Sequence, residues 1–211
     1  MKKRKLLTPL ILLGWLIAIG FGFTRIFTYA NIPGKSAQPL PQWPEGATLS
    51  RSKDLATLVI FAHPHCPCSE ASLGELEKLM PRIVGKAKSY VVFYKPQNKT
   101  EEWVQDSLWK KAQSIPSVTA LIDEAGIEAA RFDAKTSGQT FLYSPEGNLV
   151  FQGGITAQRG HMGDNDGQLA ILSYFKQENP SKTPQRQLAQ TPVFGCSLKN
   201  PERAKTSEVY D

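Results

Sequence analysis

The chain has 211 residues, 41% hydrophobic and 21% charged, with a net charge of +6. That length suits one domain with appendages better than two domains, and the composition is that of a globular protein with a buried core. The positive excess does not describe a nucleic-acid surface. Lys2, Lys3, Arg4, Lys5 and Arg25 carry five of the six charges, and a nearly neutral body offers no footprint for DNA or RNA.

Residues 1–25 read as a membrane anchor. The basic cluster Lys2–Lys5 precedes the uncharged run Leu6–Phe23, which is 18 residues long, the length at which a helix begins to span a bilayer. Positive charge ahead of the run predicts a cytoplasmic N-terminus and an exported body. The expected location is a single pass through the cytoplasmic (inner) membrane, with the C-terminal domain on the periplasmic side. The alternative is a cleaved signal peptide with Thr28-Tyr29-Ala30 as its cleavage site. The run exceeds the usual signal core of roughly 7–15 residues, which favours the uncleaved anchor.

Residues 26–53 read as a Pro-rich linker, since Pro33, Pro39, Pro41 and Pro44 interrupt any regular pattern and such stretches form stiff spacers. A domain is expected over 54–178. Leu55–Ala62 is a continuous apolar run of strand length, as a strand buried on both faces requires. Ser69–Val84 carries Leu73, Leu76, Leu79, Met80 and Ile83 at helical spacing. Ser89–Tyr94 predicts a second strand, Glu101–Gln113 a helix with acids early and lysines late, Ser117–Asp123 a third strand, and Ile127–Phe132 a short helix. Thr140–Ser144 and Leu149–Gln152 form a hairpin around Pro145-Glu146-Gly147-Asn148, and Leu169–Phe175 lies in a final helix. Residues 179–211 are polar and Pro-interrupted, a flexible tail. The order β-α-β-α-β-α-β-β-α predicts an α/β fold, a mixed sheet with helices on both faces, in the layout of a thioredoxin fold.

The chemistry concentrates in His63-Pro64-His65-Cys66-Pro67-Cys68. Cysteines in the loop between a strand and an amphipathic helix are in the redox position of α/β proteins. Unpaired N–H groups and the dipole at a helix N-terminus favour a thiolate, and a thiolate is the nucleophile. His63 and His65 add positive charge beside it when protonated. Pro64 and Pro67 stiffen the loop. A pair of cysteines two residues apart closes almost no chain entropy, so bracing is a poor explanation for it.

On these residues, VIFAHPHCPCSEASLGELEKL resembles the active-site segment of the TlpA/thioredoxin superfamily, and FLYSPEGNLVFQGG resembles its terminal hairpin. The similarity covers about residues 45–178 and extends to bacterial membrane-tethered thioredoxin-like proteins labelled RedB. It implies a thiol–disulfide oxidoreductase in which Cys66 is the attacking thiol, Cys68 its partner, and the substrate a protein thiol or disulfide. The sequence departs from that pattern twice. The two cysteines are one residue closer than the usual Cys-x-x-Cys. The cis-proline expected before the hairpin is absent, and Ser137-Gly138-Gln139 stands there, where Gly138 tolerates a strained backbone.

Cys196 lies in an apolar island, Pro192-Val193-Phe194-Gly195-Cys196, which suggests docking onto the body. An odd cysteine in an exported protein invites pairing, so Cys196 is a candidate resolving thiol. Residues 153–165 form a Gly-rich polar loop in which Arg159 and His161 are candidate supporting residues, and Asp164 or Asn165 is a candidate cap for the final helix. No cofactor is needed for exchange. A copper-binding or copper-delivery module is the alternative, with Cys66, Cys68, His65 (or His63) and His161 as ligands, because thiolate and imidazole suit soft metals. A third reading is a redox-sensing adaptor in which the disulfide gates a surface without turnover.

Overall fold

The computed structural model describes residues 2–38, 40–176 and 188–199, with side chains from residue 9 onward in the first helix. It separates into two units, 1–32 and 33–211. The first is the helix α1, Lys2–Asn31. Its stretch Pro9–Asn31 has a mean hydropathy of 2.0 and is long and apolar enough to cross a membrane. The helix runs six residues past the expected boundary at 25. Ile26, Phe27 and Tyr29 continue its apolar surface, and it stops just before Ile32-Pro33, where the residue ahead of a proline is pushed out of the helical region.

In the second unit the described strands form one sheet in the order β3-β2-β1-β4-β5-β6. The strands are β1 (Ala56–Ala62), β2 (Ala87–Lys95), β3 (Val118–Glu124), β4 (Gln139–Tyr143), β5 (Leu149–Gly153) and β6 (Ala189–Gln190). β1, β2 and β3 are parallel, β4 is antiparallel to β1 and to β5, and β6 adds in parallel to β5. β1 is buried at all seven positions, which explains its unbroken apolar run. Leu58 and Ile60 face one core and Val59 and Phe61 the other, as the two-residue period dictates.

The first core lies under α2 (Pro67–Leu79), α3 (Glu101–Val104), α4 (Ser107–Ser114) and α6 (Asp166–Phe175). Leu73, Leu76 and Leu79 of α2 are fully buried there. The single helix expected over Glu101–Gln113 is two. Asp106, of a type favoured at helix starts, takes an extended conformation and begins α4 afresh.

The second core is aromatic: Phe132 and Phe141 touch each other and both Phe61 and Tyr143. Among the described helices, α5 (Ile127–Arg131) alone contributes to it, and five residues cannot cover a sheet face. The expected linker does the covering. Trp43 sits edge-on, 5.1 Å from both Phe132 and Tyr143, Leu49 and Ala37 are buried, and Trp43 N donates to Gly147 O. Residues 33–53, apart from Pro39, are thus part of the body rather than a spacer. The expected flexible tail is corrected in the same way over 188–199, where β6 extends the sheet and Val193 and Leu198 are fully buried. Its other residues, with 177 and 178, lie outside the described residues.

Candidate active site

β1 delivers the chain into the turn at His63–Cys66, and α2 begins at Pro67, two residues earlier than its apolar spacing suggests. Proline suits the first helical position because its missing N–H has no helical partner to lose. Cys66 is therefore the N-cap, in an extended conformation, and its carbonyl accepts from Ser69 N and Glu70 N. Cys68 lies within the first turn. Cys66 and Cys68 are 4% and 5% exposed.

A buried serine pair fixes this turn to the loop before β4. His63 N donates to Ser69 Oγ at 3.1 Å and to Ser137 Oγ at 3.0 Å, Ser69 Oγ donates to His63 O at 2.7 Å, and the two hydroxyls are 2.6 Å apart. The next residue, Gly138, donates its N–H to Phe61 O at 2.8 Å. Its φ of +90° and the Ser72 Oγ lying 2.7 Å from where a Cβ would stand explain the glycine. The pairing of the two serines is not legible in the sequence. Their separation is 68 residues, and the adjacency of Ser137 to Gly138 was the one signal.

Cys196 is brought to the same place. Its carbonyl accepts from Ser137 N at 2.9 Å, Thr136 and Ser197 form an antiparallel bridge, and Leu198 N donates to Lys135 O. The ligand atoms of Cys66, Cys68 and Cys196 all lie within 4.8 Å of one another, and all three are free thiols. The environment divides their protons. The Cys68 thiol donates to the Cys66 sulfur, and with the Ser69 and Cys68 backbone amides and Cys196 this outweighs burial and pulls the Cys66 thiol from 9.0 down to about 4. The same hydrogen bond, with burial and the Cys66 charge, pushes Cys68 well above its ordinary range. Burial, then the Cys66 charge, raises Cys196, and Arg159 partly opposes this. The surroundings thus favour the thiolate at Cys66 and the protonated thiol at Cys68 and Cys196.

The other expected side chains, His63, His65, Arg159 and His161, are not part of this cluster. His65 Nε2 is 2.8 Å from Trp103 O, a carbonyl left available by the break between α3 and α4, and its ring meets Trp103 edge-on at 4.5 Å. His63 packs against Trp103 and Tyr94, and its Nδ1 accepts from His65 N at 3.2 Å. His161 is exposed, with Nδ1 2.6 Å from Arg159 O. The expected ligand set of Cys66, Cys68, His65 and His161 is therefore not assembled. Among the described residues, the group of ligand-type side chains close enough to share an ion is Cys66, Cys68 and Cys196. Arg159 instead donates to Gly195 O.

The Gly-rich loop is held by a residue the sequence did not flag. Glu75 of α2 is 2% exposed, and its carboxylate accepts from Gly163 N, Asn165 Nδ2, Gln168 Nε2 and Lys78 Nζ. Of the two candidate caps, Asn165 starts α6, its Oδ1 accepting from Gln168 N.

A parallel β1-α2-β2 unit, an antiparallel β4-β5 hairpin followed by α6, the local order β2-β1-β4-β5, and a cysteine turn at the C-terminal end of β1 are now together. The chain has a thioredoxin-like fold. No family model matches the sequence, and no curated protein matches it. Two solved structures are similar over most of its length. One is an uncharacterized conserved protein from Geobacillus kaustophilus, 23% identical, covering 82% of this chain and 95% of that one at a TM-score of 0.55. The other is a hypothetical protein from Sinorhizobium meliloti, 18% identical, covering 80% and 100% at a TM-score of 0.59. What these share with the present chain is the fold. The exposed lipoprotein thioredoxin Etrx1 from Streptococcus pneumoniae lies further off, 17% identical, covering 59% and 85% at a TM-score of 0.44. On this thioredoxin-like frame the turn after β1, the loop before β4 and the segment around Cys196 meet, and the three sulfurs come together there.

Proposed function

We propose that this protein is a membrane-anchored, extracytoplasmic thiol–disulfide oxidoreductase that exchanges disulfides with protein partners through Cys66. The observation that carries this reading is the Cys66 sulfur at the N-cap of α2, favoured as a thiolate and flanked by two further thiols within 4.8 Å. A thiolate is the attacking species in exchange, and a nearby thiol resolves the mixed disulfide. The anchor reading is supported by α1, and the basic residues ahead of it favour a body on the periplasmic side.

The test uses the full chain in detergent with oxidised glutathione. Cys66→Ser abolishes exchange, and a variant lacking both Cys68 and Cys196 accumulates a mixed disulfide on Cys66. Exchange at an unchanged rate in Cys66→Ser refutes the proposal. For the anchor, protease added to spheroplasts digests the body. Protection of the body there overturns the topology.

The sulfur cluster supports a second reading. Three cysteine sulfurs within 4.8 Å of one another suit a thiophilic ion such as Cu(I), whose binding would displace the thiol protons, and the three-sulfur set takes the place of the histidine-containing one. Anaerobic titration of the reduced full chain with Cu(I) against a competing chelator tests it. Absence of stoichiometric uptake removes this reading.

A further inference from the structure

The segment 191–199 is a strap rather than a tail end. Thr191 N donates to Gln152 O, Gly154 N to Pro192 O, and Gly34 N to Val193 O. It then crosses to the loop before β4, where Ser137 N donates to Cys196 O and Leu198 N donates to Lys135 O. Donation and acceptance on alternate residues of an antiparallel segment are how an extended peptide adds to an exposed edge. The groups that such a peptide would use beside Cys66, the Ser137 N–H and the Lys135 carbonyl, are both taken by the strap. Cys66 and Cys68 are buried in this arrangement, whereas Cys196 is half-buried.

The choice of disulfide partner follows from the same geometry. Cys68 is two residues from Cys66 and fixed in the first turn of α2. A bridge across one residue must meet the Cα separation and dihedral that a disulfide demands while that turn stays helical. Cys196 comes from a separate segment and is free of this constraint.

We propose that the strap is an internal substrate: it occupies the edge at Lys135–Ser137 on which an extended, cysteine-bearing partner polypeptide pairs to reach Cys66, and Cys196, rather than Cys68, closes the disulfide with Cys66. The proposal rests on the exchange activity proposed for Cys66. A partner polypeptide carrying a disulfide displaces the strap. The Cys66 thiolate attacks one partner sulfur, forming the Cys66–partner bond as the partner's own disulfide breaks and its second sulfur leaves as a thiolate. The strap returns, and the Cys196 thiol gives its proton to that thiolate. Its sulfur attacks Cys66 Sγ, so that the Cys66–Cys196 bond forms as the Cys66–partner bond breaks. The departing sulfur takes a proton from solvent, in place of the one Cys66 had lost. Two electrons pass from Cys66 and Cys196 to the partner disulfide, which leaves as a dithiol. In reverse, the Cys66–Cys196 disulfide oxidises a partner dithiol.

The test uses the full chain in detergent. Wild-type protein oxidised by glutathione disulfide is alkylated, digested and mapped by mass spectrometry. The expected product is a Cys66–Cys196 disulfide with Cys68 alkylated. A Cys66–Cys68 disulfide with Cys196 alkylated overturns the proposal and leaves the exchange reading standing, whereas no reaction of Cys66 with glutathione disulfide overturns both. Gly195→Val probes the docked strap, because a Cβ at Gly195 stands 2.0 Å from Ser137 O. In this variant, alkylation of Cys66 by a bulky maleimide rises at least tenfold relative to iodoacetamide, with circular dichroism reporting that the body is folded. An unchanged ratio in a folded variant shows that the strap does not cover Cys66 and overturns the proposal.

Discussion

Cys68 donates its hydrogen to the Cys66 sulfur, and this is the largest of the influences that bring the Cys66 thiol to about 4. A hydrogen bond to a charged group contributes about 1.5–3 kcal/mol, which is about one to two pH units at about 1.4 kcal/mol per unit. Cys68→Ala is therefore expected to raise the Cys66 pKa by about one to two units. The backbone amides of Ser69 and residue 68, and Cys196, keep the rest of the depression in place. The thiolate still dominates at neutral pH in the variant, so a rate measured there is the wrong readout. Ultraviolet thiolate absorbance of the full chain in detergent, followed as pH falls, is the right one. Cys68 and Cys196 are both pushed upward, so the acid inflection belongs to Cys66. It is expected near 4 in the wild type and at about 5 to 6 in Cys68→Ala. Small-molecule alkylation gives a second view. Thiolate nucleophilicity falls with pKa at a slope of about 0.4–0.5, so Cys66 is no faster than an ordinary thiol near neutrality. Its rate is flat with pH there, where an ordinary thiol gains about tenfold per unit. A wild-type inflection in the ordinary thiol range, or an inflection that Cys68→Ala does not move, refutes the reasoning.

Gly138→Ala forces a side chain into a φ of +90° and against Ser72 Oγ. It is expected to lower stability by about 1–3 kcal/mol, read from denaturant unfolding, and a loss under about 0.5 kcal/mol speaks against a strained turn at this position. Glu75→Ala leaves Gly163 N without its buried acceptor and takes the carboxylate from the Asn165 and Gln168 amides, which keep only Gly163 O and the residue 75 carbonyl. The expected cost is about 2–4 kcal/mol, together with fast hydrogen exchange at the Gly163 amide. Slow exchange there in the variant would mean that Glu75 does not hold the loop.

The parts of the fold that were legible are those whose physics is local. Ala56–Ala62 reads as a central strand because both its faces are buried, and the leucines of α2 mark its buried stripe. The hairpin turn at 144–148 shows its Pro, Gly and Asn, and Ser144 and Asn148 close it with a backbone hydrogen bond. In residues 33–53 the prolines obscure Trp43 and Leu49. Their role becomes apparent only once α5 proves too short to cover the second face. Residues 188–199 resemble a tail for a related reason, although the apolar island at 192–196 signals docking. In the site, the cysteine turn was legible from its position between strand and helix. The serine pair and the Glu75 cluster were not, because each joins segments 68 to 93 residues apart. The histidines suggested metal ligation by residue type, but the break at Asp106 gives His65 a carbonyl partner at Trp103 instead.

The two departures from the thioredoxin pattern have a common explanation. A proline at 137 or 138 would remove an N–H, and here both are used: Ser137 N donates to Cys196 O and Gly138 N donates to Phe61 O. The φ of +90° at Gly138 is also closed to a proline ring, which locks φ near −65°. The loop before β4 is thus built to bind the strap on one side and β1 on the other. The strap brings a third sulfur to Cys66, and with it the tight Cys66-Pro67-Cys68 spacing no longer has to supply the disulfide partner. Cys68 is then left to donate a hydrogen bond to the Cys66 thiolate, a role that a neighbour two residues away in the first turn of α2 can fill without leaving the helix.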